Sequence, residues 1–219
     1  MGMRASFDKE IDVLQENLLQ MAECIESAIH HAIVSMEEKN KDLAQKIIGN
    51  DDVVDDWEKR IERQCLSLLL RQQTVAGDLR IISTALKMIT DMERIGDHAV
   101  DIAELGLEMA EIDTKAITEK LSAMVETVVK MVHFSINSFV HSDVELALDT
   151  IAQDDQVDLL FQQVKADVVT FAEKGEHLEQ GIIVLMIAKY LERIADHAVN
   201  ICEWTEFSVT GRWKNTAIL

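Results

Sequence analysis

One stretch of this chain occurs twice. Met92-Glu-Arg-Ile-Gly-Asp-His-Ala-Val-Asp-Ile-Ala-Glu104 returns ninety-nine residues later as Leu191-Glu-Arg-Ile-Ala-Asp-His-Ala-Val-Asn-Ile-Cys-Glu203, with nine of thirteen positions identical. A second block, Leu43 to Asp55, aligns with Leu146 to Asp158 at an offset of 103. Offsets that differ by four mean a duplicated unit whose hairpin changed length, between Arg71 and Arg80 in the first copy and around Lys174 to His177 in the second. Whatever one half folds into, the other must fold into as well.

That fold is helical. The 219 residues contain no proline and eight glycines, too few breakers for a turn-rich β architecture. Ile47, Val54, Ile61 and Leu68 recur every seven residues, as do Ile82, Ile89, Gly96 and Ala103, the spacing of apolar seams on long helices. The expectation is an all-α chain of two tandem pseudo-symmetric three-helix bundles, residues 1–111 and 112–219. The six antiparallel helices fall near 6–38, 40–72, 76–110, 114–140, 143–174 and 177–208. Ser6, Asn40 and Ser142 are the expected N-caps, because their side-chain oxygens accept first-turn amides. Gly96, Ala99, Ala195 and Ala198 put small side chains on the inward seams, where neighbouring helices approach closely.

Forty acidic against twenty-one basic residues give a net charge of −19, which argues against nucleic acid and anionic lipid as partners. The longest apolar run, Gly181 to Ala188, is eight residues, against the ~20 that span a bilayer. No direct membrane insertion is expected, and with no signal-peptide pattern at Met1 to Ser6 the expected location is the cytoplasm. Cys24, Cys65 and Cys202 have neither Cys-x-x-Cys spacing nor an even count, so they read as buried free thiols.

The repeat keeps charges that packing alone would let drift. Glu93 and Asp97 share a helix face, as do Glu192 and Asp196, and Asp101 and Asn200 extend each row by a turn. Asp51 and Asp55, with Glu58 and Glu62 beyond them, form a row on the preceding helix, and Asp154 and Asp158 are the counterparts in the second copy. A single such ladder is ordinarily a solvated surface. Like charges at this spacing cost ~0.2–0.5 kcal/mol per pair, so keeping them twice favours bound cations that turn repulsion into coordination. Carboxylate oxygens without thiolates suit magnesium, manganese, calcium or iron. His98 and His197 lie roughly 100° around the helix from the preceding Asp and read as packed or supporting residues. Arg94 and Arg193 read as partners of nearby carboxylates.

Catalysis finds no support in the pattern. No histidine has a Glu three positions before it, as di-iron carboxylate bundles require. There is no Gly-rich phosphate loop and no Gly-x-Ser-x-Gly elbow. The expectation is therefore a non-enzyme. A metal-dependent phosphohydrolase is the competing class, and an inert helical scaffold the third.

Taken together, Glu93-Arg-Ile-Gly-Asp-His-Ala99, Glu192-Arg-Ile-Ala-Asp-His-Ala198, the hairpin Gln73 to Arg80, the block Asn50 to Asp55 and the ending Glu203 to Gly211 resemble the PhoU family of phosphate-transport regulators along nearly the whole chain. The resemblance implies two pseudo-symmetric three-helix bundles carrying iron or zinc clusters. By position the ligands would be Asp51, Asp55, Glu93, Asp97 and Asp101 in the first half, and Asp154, Asp158, Glu192, Asp196 and Asn200 in the second. It also implies a homodimer that works with the ATPase subunit of a phosphate ABC transporter and with a sensor histidine kinase, as a negative regulator of the phosphate-starvation response. A related regulator of another transporter or an ion channel is the alternative. Asn200 departs from the pattern, since the first copy has Asp101 there, and implies a smaller second cluster.

Overall fold

The computed structural model describes residues 3–71, 76–108, 115–173, 178–213 and 216–217. The two expected inter-helix turns, at 72–75 and 174–177, lie outside them. In chain order the helices are α1 (Met3–Glu37), α2 (Lys41–Ile48), α3 (Asp51–Arg71), α4 (Ala76–Glu108), α5 (Lys115–Val140), α6 (Val144–Ile151), α7 (Asp154–Glu173) and α8 (Leu178–Thr210). A two-residue antiparallel ladder follows, β1 (Arg212–Trp213) on β2 (Thr216–Ala217), with Trp213 stacked on Trp204 at 3.8 Å. The architecture is the expected pair of three-helix bundles, with the middle arm of each built from two consecutive pieces, α2 with α3 and α6 with α7.

The expected continuous helices 40–72 and 143–174 are therefore each broken once. The Gly49 amide still reaches Gln45 O at 2.9 Å, but the Asn50 amide tightens onto Ile47 O at 3.1 Å and the next helix starts at Asp51. Ala152 and Gln153 repeat the device on Leu148 O and Thr150 O. In the first half the apolar seven-residue step from Ile47 to Val54 runs across the break, which hides it from a periodicity argument.

The turn before each middle arm is also duplicated. Lys39 and Ser142 both take φ 54°. The following amides, Asn40 and Asp143, reach back to Ser35 O at 2.8 Å and Ser138 O at 2.7 Å, closing the six-to-one bond of a Schellman stop. Asn40 then caps α2 through Leu43 N at 3.1 Å, as expected. In the second half the cap is Asp143, on Leu146 N at 3.0 Å, and not Ser142. Ser142 serves as the left-handed stop residue, one position earlier. Ser6 falls inside α1 rather than before its first turn, and its side chain lies outside the described residues.

Burial follows the seams. On α1, Leu14, Leu18, Met21, Ile25 and Ile29 are fully buried at three- and four-residue steps. On α4 the buried set widens to include Met88, Ile89, Met92, Ile95, Ala99 and Ile102, since this helix is covered from several sides. The most extensive helix contact in the molecule is α4 against α8, with α1 against α5 also joining the halves. Both pairs run antiparallel. Gln15 Nε2 donates to Val140 O at 3.1 Å, His133 meets Glu26 at 3.1 Å, and the Ser122 hydroxyl donates to Glu37 at 3.0 Å. Equivalent helices that meet antiparallel across a shared seam give a pseudo-twofold axis between the halves, with α3 and α7 on the outer flanks beside α4 and α8. Among the described residues no helix is long and apolar enough to cross a membrane.

Candidate metal centre

On each flank an acidic row of the middle arm faces the acidic row of the last helix. In the first half Asp55 and Glu58 of α3 stand against Glu93 and Asp97 of α4. The helices come together here because Gly96 has no Cβ; one placed there would lie 3.0 Å from Val54 Cγ1. Burial, together with the charge of Asp97, holds the Glu93 carboxyl above its ordinary pKa, with Glu58 and Asp55 adding to the push. Glu58 is raised likewise by burial, then by Asp55 and Glu62. Arg94 offsets part of this, with Nη1 on Asp97 at 2.8 Å and Nε 3.4 Å from Glu93, as expected of a local carboxylate partner. Lys59 pairs with Asp55 at 3.1 Å.

In the second half Asp154 and Asp158 of α7 face Glu192 and Asp196 of α8. Burial and the charges of Asp196, Asp158 and Glu192 push the Asp154 carboxyl up to about 6, and its Oδ1 is buried without a hydrogen-bond partner. This happens although Asp154 sits in the first turn of α7, where the helix dipole favours the carboxylate. The Asp196 carboxyl is raised by burial and then by Glu192. Lys189 bonds Glu192 and leans over the Phe161 ring at 5.4 Å. Phe161 stands where the first half has Glu58, so the second half carries no carboxylate at that position.

A buried, unpartnered carboxylate oxygen among carboxyls held above their ordinary range is the electrostatic condition a hard cation relieves, so the residues present fit one. Among the described residues no three carboxylate, imidazole or thiolate groups are already assembled around a single metal position. Ligation would require the side chains to leave Arg94 and Lys189 and converge.

The other candidates take different places. Asp101 bonds His98 Nδ1 at 3.2 Å, and Asn200 Nδ2 donates to Asp91 Oδ1 at 3.1 Å, so the structure brings both to the α4–α8 seam. The Asp51 side chain lies outside the described residues. His98 and His197 are packed there as expected, with ring centroids 5.8 Å apart. His98 also packs on Tyr190 at 5.3 Å, and His197 Nδ1 meets Asp91 at 2.8 Å. Burial lowers the His98 pKa, against the pull of Asp101. Arg193 lies over the Tyr190 ring at 5.9 Å. Cys65 and Cys202 are buried and their thiols pushed up to about 12 by burial, whereas Cys24 is half-exposed, contrary to expectation.

Glu58 is the residue that the repeat left out of the site. It was visible in the row Asp51, Asp55, Glu58 and Glu62, but a criterion of retention in both copies discards it because the second copy has Phe161.

The comparisons with known proteins agree with this arrangement. The PhoU domain matches twice, over residues 18–106 and 121–205. The chain is 33% identical over 211 residues to the phosphate-specific transport system accessory protein PhoU homolog of Clostridium acetobutylicum, covering 95% of this chain and 96% of that protein. It is 32% identical over 208 residues to PhoU homolog 1 of Thermotoga maritima, covering 94% and 90%. The crystal structure of PhoU from Pseudomonas aeruginosa superposes with a TM-score of 0.88 at 29% identity, covering 94% of this chain and all of that one (100%). The structure of the phosphate transport system regulatory protein PhoU from Streptococcus pneumoniae gives 0.87 at 26%, covering 94% and 98%. With its duplicated bundle, its facing acidic rows and two domain matches along one chain, this protein belongs to the PhoU family.

Proposed function

We propose that this chain is a metal-binding regulator of phosphate uptake, an accessory protein of a phosphate transport system. In this reading it works in the cytoplasm as a homodimer, with the ATPase subunit of a phosphate ABC transporter and a sensor histidine kinase, and restrains the phosphate-starvation response when phosphate is plentiful. The observation that carries the reading is the orphaned Asp154 oxygen inside a carboxylate cluster kept in both copies. Asp55, Glu58, Glu93 and Asp97 would hold metal on one flank, and Asp154, Asp158, Glu192 and Asp196 on the other. The donor set suits iron, manganese or magnesium, and zinc through carboxylates alone. Bound cations would relieve the repulsion and offset part of the local negative charge of an otherwise acidic surface.

Elemental analysis of untagged protein purified without chelator tests the metal, and thermal melting with and without each ion tests the linkage, since an ion that binds only the folded state raises the melting temperature. In cells, Glu93, Asp97, Glu192 and Asp196 changed together to Ala should express phosphate-starvation genes in rich phosphate. Normal repression by a variant that keeps its helical circular dichroism but has lost its metal would separate signalling from the clusters.

A further inference from the structure

The first bundle contains a cavity of about 220 Å³ that opens to solvent between α1, the α2–α3 junction and α4. Its walls include Ala28, Ile47, Val54, Gly96 and Val100, with Cys24, Ser27, His31 and Asn50 among its polar lining. Among the described residues no Asp, Glu, Lys or Arg lines it, in a chain where 28% of residues are charged. Val54 and Gly96, which lie against each other, both form part of its wall.

The duplication supplies an internal control. The Schellman stops and caps fix the α1–α5 alignment at an offset of 103, and the repeated motif fixes α4–α8 at 99. By these offsets Ala28 corresponds to Met131, His31 to Phe134, Val53 to Gln156 and Gly96 to Ala195. Met131 is fully buried, whereas Ala28 is only half-buried. Cys24, half-exposed, corresponds to the buried Thr127. Of these positions only Ile47, matched by Thr150, is larger in the first half. A helix interface that needed only to be packed had a solution available in its own second copy, and the first copy carries the small side chains instead.

We propose that this cavity is a binding site for a small, uncharged aromatic molecule of about one bicyclic ring. A cavity of roughly 150 Å³ lined by apolar side chains holds benzene, so 220 Å³ leaves room for a fused ring. The lining offers apolar walls for the ring faces and a few neutral polar groups for one hydrogen-bonding substituent. Ser27 Oγ and His31 Nδ1 lie 3.1 Å apart on the α1 side of the lining. With no cationic side chain among the described lining residues and a net charge of −19, an anion is disfavoured.

Indole is the probe, titrated into metal-free full-length protein in chelator, so that the outcome is independent of the metal reading. Saturable binding is expected, with amide NMR shifts at Ala28, Val54 and Gly96, and indole-3-acetate should bind at least tenfold more weakly. Ala28→Met, which installs the second-half residue, should weaken indole binding at least tenfold while leaving the melting temperature unchanged or higher. A second variant, Cys24→Thr, covers the case in which Met at 28 does not fold, and should weaken binding severalfold. Absence of saturable binding up to the solubility of indole, equal affinity in a folded variant, or shifts confined to another surface would each overturn the proposal.

Discussion

Replacing Asp154 by Asn should stabilise the metal-free protein at neutral pH and cripple the metal-loaded one. The Asp154 carboxyl has a folded pKa of about 6 against an ordinary 3.8. Between those values the native state binds more protons than the unfolded state, so the free energy of unfolding falls as pH rises. The contribution of this group is most favourable below about pH 4 and is lost as pH climbs through 6. Two pKa units correspond to about 3 kcal/mol at 1.36 kcal/mol per unit. The side chain keeps substantial solvent contact, and screening reduces the figure to about 1.5 kcal/mol. Asn cannot ionise, so at pH 7.5 in chelator the variant should melt roughly 3–6 °C higher. At pH 4.5 the gain should shrink to about a third, because the wild-type carboxyl is then mostly protonated in the folded state. With saturating manganese or iron(II) at pH 7.5 the order should reverse, since the variant lacks a ligand. Calorimetric melts under the three conditions suffice. A lower melting temperature for the variant in chelator at pH 7.5, or an equal gain at both pH values, would refute the electrostatic account of this cluster.

Lys39→Gly and Ser142→Gly should each stabilise by about 1 kcal/mol, because both residues hold a left-handed backbone that a Cβ disfavours. The two sites lie in different halves, so denaturant titration of the double variant should give the sum. Gly96→Ala gains ~1 kcal/mol of helix propensity but drives a Cβ to within 3.0 Å of the stiff Val54, a net loss of about 1 kcal/mol. Adding Val54→Ala should turn that substitution from harmful to favourable in a double-mutant cycle. Asp91→Ala leaves the His197 ring and the Asn200 amide without their shared acceptor and should cost about 1–3 kcal/mol by chemical denaturation.

The duplicated motif made the helical class, the two bundles and the partnership of Glu93 with Asp97 and Glu192 with Asp196 readable, because retention of polar residues is visible wherever two copies share one chain. The middle-arm breaks were hidden because Ile47 and Val54 keep their seven-residue step across Gly49. The cap at Asp143 was missed by one residue, since Ser142 and Asp143 are both competent cap residues and only the backbone decides which takes φ 54°. Asp101 and Asn200 were placed in the acidic rows by four-residue spacing. Each such step also turns the side chain about 40° around the helix, and two steps from Glu93 carry it to the α4–α8 seam. The cavity was beyond reach, since Ala28, Gly96 and Cys24 become neighbours only when α1 and α4 pack.

The α4–α8 seam bears on how each half chooses its companion. Because α4 and α8 are equivalent helices meeting across a pseudo-twofold axis, either half could in principle join a copy of itself taken from another chain. Pairing two first halves through the same seam would recreate the His-to-Asp91 contact twice, with His98 in the role of His197. It would also bring Asp101 of one copy to the place from which Asn200 now donates to Asp91, setting carboxylate against carboxylate. Pairing two second halves would put Tyr190 where Asp91 now meets His197 and Asn200, removing the carboxylate that serves both. The exchanges at two repeat positions, Asp101 for Asn200 and Asp91 for Tyr190, thus reward the union of unlike halves and penalise both like unions. After gene duplication, such a mismatch would hold a nascent chain to its own second half in a cell crowded with identical ones.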